Sequence, residues 1–187
     1  MSIIDDIIQF NSKFVADKKY IPYISEKTPK KRLAILSCMD SRLTELLPAA
    51  LNIKNGEAKI IKNAGAIISH PYGSVMRSLI VAIYSLGVRD IMVIGHTDCG
   101  VEKLDGNKII AEMKSLGINT NNAADIDDAG IPCNCSPDLN KWLRGFESVE
   151  ESVRESVKMI KSHPLIPADI TVRGFIMDVS TGKITEY

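Results

Sequence analysis

The sequence lacks an excess of charge of either sign. Lys+Arg and Asp+Glu stand equal at 23 each, the net charge is zero and the pI is near 6.8. That removes the electrostatic argument for nucleic acid or an anionic membrane as a partner. Also missing is any run of about 18 apolar residues, the length a helix needs to cross a bilayer. The opening stretch puts Asp5 and Asp6 where a secretory leader would be positively charged, and it has no small-residue cleavage site. These absences lead to the expectation of a cytoplasmic protein. There is no internal repeat and no low-complexity segment. Cysteine is scarce, with only Cys38, Cys99, Cys133 and Cys135. In a reducing compartment such thiols point to metal binding or catalysis more than to disulfides.

What is present is ordinary for a globular chain: 187 residues, 45% apolar and 25% charged, enough for one domain spanning residues 1–187 with a proper core. Apolar residues at 3, 4, 7, 8, 10 and 14 have helical spacing and define an N-terminal helix with one apolar face. With the connection that follows, residues 1–30 form an N-terminal helix and arm. Leu33 to Leu36, Ala58 to Ile61, Asp90 to Ile94 and Ile170 to Val179 read as strands. Residues 43–51 suggest a short helix that Pro48 should break or make irregular. Residues 73–86 read as a buried helix closed by Gly87, and 107–117 as another. A single helical pattern covers 139–162, with Trp142 and Phe146 on its apolar side. Residues 118–138, rich in Asn, Asp, Gly and Pro, read as a surface loop or insertion. Lys183 to Tyr187 suggests a short returning edge strand. Strands alternating with helices imply an α/β fold with a mainly parallel sheet flanked by helices. Ligands in such sheets sit beyond the carboxyl ends of the strands.

Two of those strand ends carry the chemistry. His96-x-x-Cys99 follows one strand, and Cys38 follows another, far upstream. Thiolate sulfur and imidazole nitrogen are zinc ligands, and three protein ligands leave a fourth position for water. A lone H-x-x-C is a weak signal, since many cysteines are simply buried.

The residues around both pieces sharpen it. Cys38-Met39-Asp40-Ser41-Arg42 and His96-Thr97-Asp98-Cys99-Gly100 together resemble the beta-class carbonic anhydrases, whose pattern is C-x-D-x-R followed by H-x-x-C. Asn63-Ala64-Gly65 and the closing Val172 to Ile184 stretch extend the resemblance, which looks most like the archaeal-type branch. Ala66 stands where glycine is more typical. The resemblance implies that Cys38, His96 and Cys99 hold Zn2+ and that Asp40 and Arg42 form a carboxylate–guanidinium pair beside it. It implies reversible hydration of carbon dioxide to bicarbonate and a proton by hydroxide on the zinc. Two thiolates cancel the metal's charge, so such a zinc is a weaker Lewis acid than one held by three imidazoles. An anionic acceptor that orients the nucleophile, kept ionised by an arginine, complements it. A homodimer or higher homo-oligomer is implied as well.

Rival readings differ in what they need. Hydrolysis of carbon disulfide or carbonyl sulfide would use the same centre. A thiol phosphatase with Cys38 as nucleophile would need arginine at position 44, which is threonine. A non-enzymatic structural zinc site would draw its fourth ligand from Cys133 or Cys135. Asp98 reads either as support for the metal or as a loop aspartate bonding its own backbone. His70 reads as an exposed histidine or a proton shuttle, and His163 as a cation at a helix end.

Overall fold

The computed structural model describes residues 2–120 and 138–187. Helix α1 (Ile3–Ala16) is opened by Ser2, whose hydroxyl accepts from Asp5 N–H while the Asp5 carboxylate accepts from Ser2 N–H. This reciprocal cap satisfies two orphan donors of the first turn. No residue of α1 is buried. Strand β1 (Leu33–Cys38) follows, then α2 (Leu43–Ala50), β2 (Ala58–Asn63), α3 (Ser74–Leu86) and β3 (Asp90–His96). After these come α4 (Gly106–Ser115), α5 (Leu139–Leu143), α6 (Val149–Ser162), β4 (Thr171–Met177) and β5 (Ile184–Glu186).

The five strands form one sheet in the order β2-β1-β3-β4-β5. All neighbours are parallel except β5, which returns antiparallel to β4 as an edge. The parallel strands read as continuous apolar runs because helices cover the sheet: Ala34, Ile35, Leu36, Val93 and Ile94 are all fully buried. The chain leaves β1 toward β2 on one side, and β3 lies on β1's other side. The crevice between the carboxyl ends of β1 and β3 is therefore a topological switch point, where ligands bind in open α/β sheets. Cys38 is the last residue of β1 and His96 the last of β3.

Two expected elements differ. Pro48 does not break α2: the helix runs through it and stops two residues later, at Ala50. Proline removes one intrahelical bond, and the fully buried Leu43 and Leu47, one turn apart, pin the segment regardless. The expected helix over 139–162 is two helices. Residues 144–148 between them pair with another loop: Gly145 N–H donates to Leu104 O, and Lys103 N–H to Phe146 O. A Cβ on Gly145 would lie 1.7 Å from Val101 O, so only glycine fits there. Ser148 then restarts the helix by capping Glu151 N–H. Trp142 consequently faces outward, 68% exposed, and is not on the core side. Of the expected loop over 118–138, residues 121–137, with Cys133 and Cys135, lie outside the described residues. No helix among the described residues is long and apolar enough to cross a membrane.

Candidate metal centre

Three buried ligand atoms converge at the switch point. One nitrogen of His96 and the sulfurs of Cys38 and Cys99 lie within 4.8 Å of one another. The two sulfurs are 3.9 Å apart. Each comes from a different local device. Cys38 closes β1, in register with Asn63 of β2, and its sulfur accepts the N–H of Gly65 at 3.4 Å. Gly65 holds a left-handed turn, φ 82°, and a Cβ there would strike the Phe146 ring at 2.8 Å. Ala66 follows in the same left-handed region, φ 57°, fully enclosed; alanine is strained there and glycine would not be.

His96 ends β3. Its Nδ1 lies 2.8 Å from the Thr97 carbonyl oxygen. A carbonyl only accepts, so Nδ1 carries the proton and Nε2 presents a lone pair. That Nε2 is buried and has no hydrogen-bond partner among the described residues. The loop after it is tied to β4: Thr97 N–H donates to Met177 O, and Thr97 Oγ1 accepts from Val179 N–H. The loop turns through Asp98, φ 54°, which brings Cys99 back under His96.

The two thiols have different electrostatics. Burial pushes the Cys38 thiol up, but the adjacent His96 imidazole and the N–H groups of Asp40 and Gly65 outweigh it, leaving it lowered to about 7. The same proximity to Cys38 raises His96. For Cys99, burial dominates and the neighbouring Cys38 adds to it, so this thiol is pushed up to about 11. Only thiolates bind a metal, so whichever of these thiols still carries its proton must lose it when a metal is taken up.

Asp40 and Arg42 flank the cluster. Asp40 Oδ1 accepts from Arg42 N–H at 2.9 Å and from Nε at 3.0 Å, while Oδ2 accepts from Nη2 at 2.8 Å. This fork-to-carboxylate geometry is the strong form of the pair. Arg42 holds the Asp40 carboxyl far below the usual carboxylate range, and Asp40 raises Arg42 in turn. Asp40 Oδ2 is 3.9 Å from His96 Nε2.

All five residues singled out in the sequence are thus brought together. Asp98, for which a bond to its own backbone was an equal expectation, instead accepts from Arg42 Nη1 at 2.7 Å. Gly65 as a donor to Cys38 was missed; the Asn63-Ala64-Gly65 match located the segment, but no sequence pattern names a particular N–H. His163 does stand at a helix end, as the C-cap residue of α6, but it is buried there, with Nε2 3.0 Å from Pro71 O and Nδ1 accepting from Leu165 N–H. His70 is tied locally, its Nδ1 accepting Tyr72 N–H at 3.0 Å.

Comparison with known proteins places this geometry. The carbonic anhydrase family profile matches residues 33–184. The Bacillus subtilis protein YvdA, which carries a provisional carbonic anhydrase name, is 48% identical over 98% of this chain and 90% of its own. The crystal structure of beta-carbonic anhydrase isoform I from Trichomonas vaginalis superposes with a TM-score of 0.86 at 32% identity, covering 100% of this chain and 97% of that one. A protein of Acidithiobacillus thiooxidans named carbon disulfide hydrolase is 29% identical over 94% of this chain and 87% of its own. The buried Cys-His-Cys cluster at the switch point, the family match over most of the chain and the shared fold lead to one conclusion: the chain belongs to the carbonic anhydrase family, in its beta class.

Proposed function

We propose that Cys38, His96 and Cys99 hold one zinc ion and that this centre catalyses the reversible hydration of carbon dioxide to bicarbonate and a proton. The observation that carries this reading is His96 Nε2, a buried lone pair without a partner among the described residues and beside two cysteine sulfurs. An unpaired buried polar atom is costly, and a cation that accepts nitrogen and sulfur removes the cost. Two thiolates with an imidazole suit zinc and exclude hard cations, which take oxygen. When bound, zinc supplies the Lewis acidity that lets water act as a nucleophile near neutral pH.

The protein's own residues do the rest. Asp40 stays ionised because Arg42 is forked onto it, so it accepts hydrogen bonds and does not donate them. Among the described residues Oδ2 receives only Nη2, and a carboxylate oxygen has a further acceptor site. With that site it orients the reacting water by accepting its hydrogen. Burial of all three ligand residues excludes bulk water from the cluster. The proton released by hydration passes to buffer.

The test is metal content together with stopped-flow carbon dioxide hydration across pH. Zinc near one per chain and a rate that rises with pH are expected, and Cys38→Ser is expected to lose both metal and hydration. Full zinc and full rate in Cys38→Ser would overturn the assignment. A second reading is favoured by the 29% identity to the carbon disulfide hydrolase: carbon disulfide and carbonyl sulfide are likewise linear and uncharged. Parallel assays with the three substrates decide between them. The same proposal takes the whole chain as one zinc-binding unit working in the cytoplasm as a homodimer, with the bare α1 as part of the contact.

A further inference from the structure

Arg42 holds Asp40, but Arg42 is itself held. On the opposite side of the guanidinium, Nη1 donates to Asp98 Oδ2 at 2.7 Å and Nη2 to the Asp98 carbonyl oxygen at 2.9 Å. Nη2 therefore bonds both aspartates at once. Asp98 lies between His96 and Cys99 with a left-handed backbone, φ 54°. Apart from glycine, Asp and Asn are the residues that tolerate this region best. Arg42 is thus gripped by a main-chain and a side-chain oxygen of one residue in the ligand loop.

We propose that Asp98 is a positioning residue: by fixing the far side of Arg42, it keeps the Asp40 carboxylate turned toward the guanidinium and off the metal. This rests on the zinc reading above. Asp40 Oδ2 is only 3.9 Å from His96 Nε2, and a carboxylate is itself a zinc ligand. Asp40 and Arg42 are two residues apart on one exposed turn, and the Arg42 side chain is 44% exposed. Held by Asp40 alone, the guanidinium would follow the carboxylate as it swung toward the metal. Anchored to the loop that carries His96 and Cys99, it cannot. The Asp98 carboxylate is 80% exposed, so its ion pair contributes little to fold stability. Its effect on Asp40 can therefore be measured apart from folding.

The experiment uses the full chain loaded with cobalt(II) in place of zinc, with azide as the probe of the open coordination position and cobalt absorption as the readout. Asp98→Gly keeps the left-handed backbone and its carbonyl bond but removes the carboxylate. Full metal content is expected, with azide binding weakened about threefold to fivefold, the most an exposed pair can transmit, because Asp40 competes for the metal. In an Asp40→Ala background the competitor is gone, and the same substitution is expected to change azide affinity by less than about twofold. Asp98→Asn keeps a neutral acceptor for Nη1 and is expected to fall between; it carries the same comparison if Asp98→Gly does not fold. Unchanged azide affinity in Asp98→Gly would overturn the proposal. So would equal weakening in both backgrounds, or loss of metal from Asp98→Gly. Failure of the zinc reading itself is distinguishable, because the unsubstituted chain would then bind no stoichiometric metal.

Discussion

At the scale of single residues, the centre is a set of proton equilibria that a metal must displace. Cys38, lowered to about 7, is largely a thiolate just above neutrality, whereas Cys99, pushed up to about 11, is a thiol. Metal uptake near pH 8 should therefore release between about one and two protons, from Cys99 and from the Cys38–His96 pair. Below about pH 7 both thiols are protonated, and metal affinity should fall by between about tenfold and a hundredfold per pH unit. Calorimetry in buffers of different ionisation enthalpy measures the release; a pH-independent affinity between 6 and 8 would contradict these assignments. Asp40 is tested separately. Asp40→Ala is expected to keep its metal, since Asp40 is outside the Cys-His-Cys cluster, and to slow hydration by about 10–100-fold. An unchanged rate removes Asp40 from the mechanism. Cys38, Asp40, Arg42, His96 and Cys99 were legible through the family resemblance that the patterns C-x-D-x-R and H-x-x-C carry. Asp98 was not, because an aspartate in a loop has many local uses and only the fold brings Arg42 beside it.

At the scale of elements, the centre depends on how closely α6 approaches the sheet. A Cβ on Gly95, the residue before His96, would lie 2.6 Å from Val149 Cγ1 and 2.8 Å from Val153 Cγ2. A Cβ on Gly174 in the next strand would meet Val153 Cγ1 at 2.7 Å. Two missing side chains thus make the seat for the buried face of α6. Gly95→Ala should destabilise the protein by about 1–3 kcal/mol through overpacking. Combined with Val149→Ala, which removes the closest methyl, the loss should be less than the sum of the two. Urea unfolding checks this; additivity within about 0.5 kcal/mol would show that the two residues do not share one space. The strands, α1 and α3 follow from hydrophobic spacing and the Gly87 cap from glycine's left-handed backbone, both of which depend only on local sequence. The break between α5 and α6 escaped that reading because apolar spacing continues across 144–148 while the backbone there pairs with 102–104. Ser148 with Glu151 three positions on is a helix-start signal that marks the restart.

At the scale of the whole molecule, α1 is the unexplained piece. Ile3, Ile4, Ile7, Ile8 and Phe10 are each at least 59% exposed, and nothing in the helix is buried. A helix of this length is marginal in water without packing, so its apolar stripe needs a cover, and the proposed cover is a second copy of the chain. Sedimentation should give twice 20.5 kDa, and Ile4→Glu with Ile8→Glu should shift the mass toward the monomer. A monomeric unsubstituted protein would refute this. By itself, the sequence determined the α/β class and the run of strands and helices, because hydrophobic period is a local property, and through the family resemblance of two short motifs it named the five residues of the proposed centre. Tertiary structure alone decided the rest. It placed β1 between β2 and β3, so that Cys38 and His96 share one crevice. It left His96 Nε2 buried without a partner among the described residues, split the Cys38 and Cys99 thiols apart in acidity, and set Asp98 against Arg42. Those are consequences of distance and burial between residues far apart in the chain, which sequence spacing does not encode.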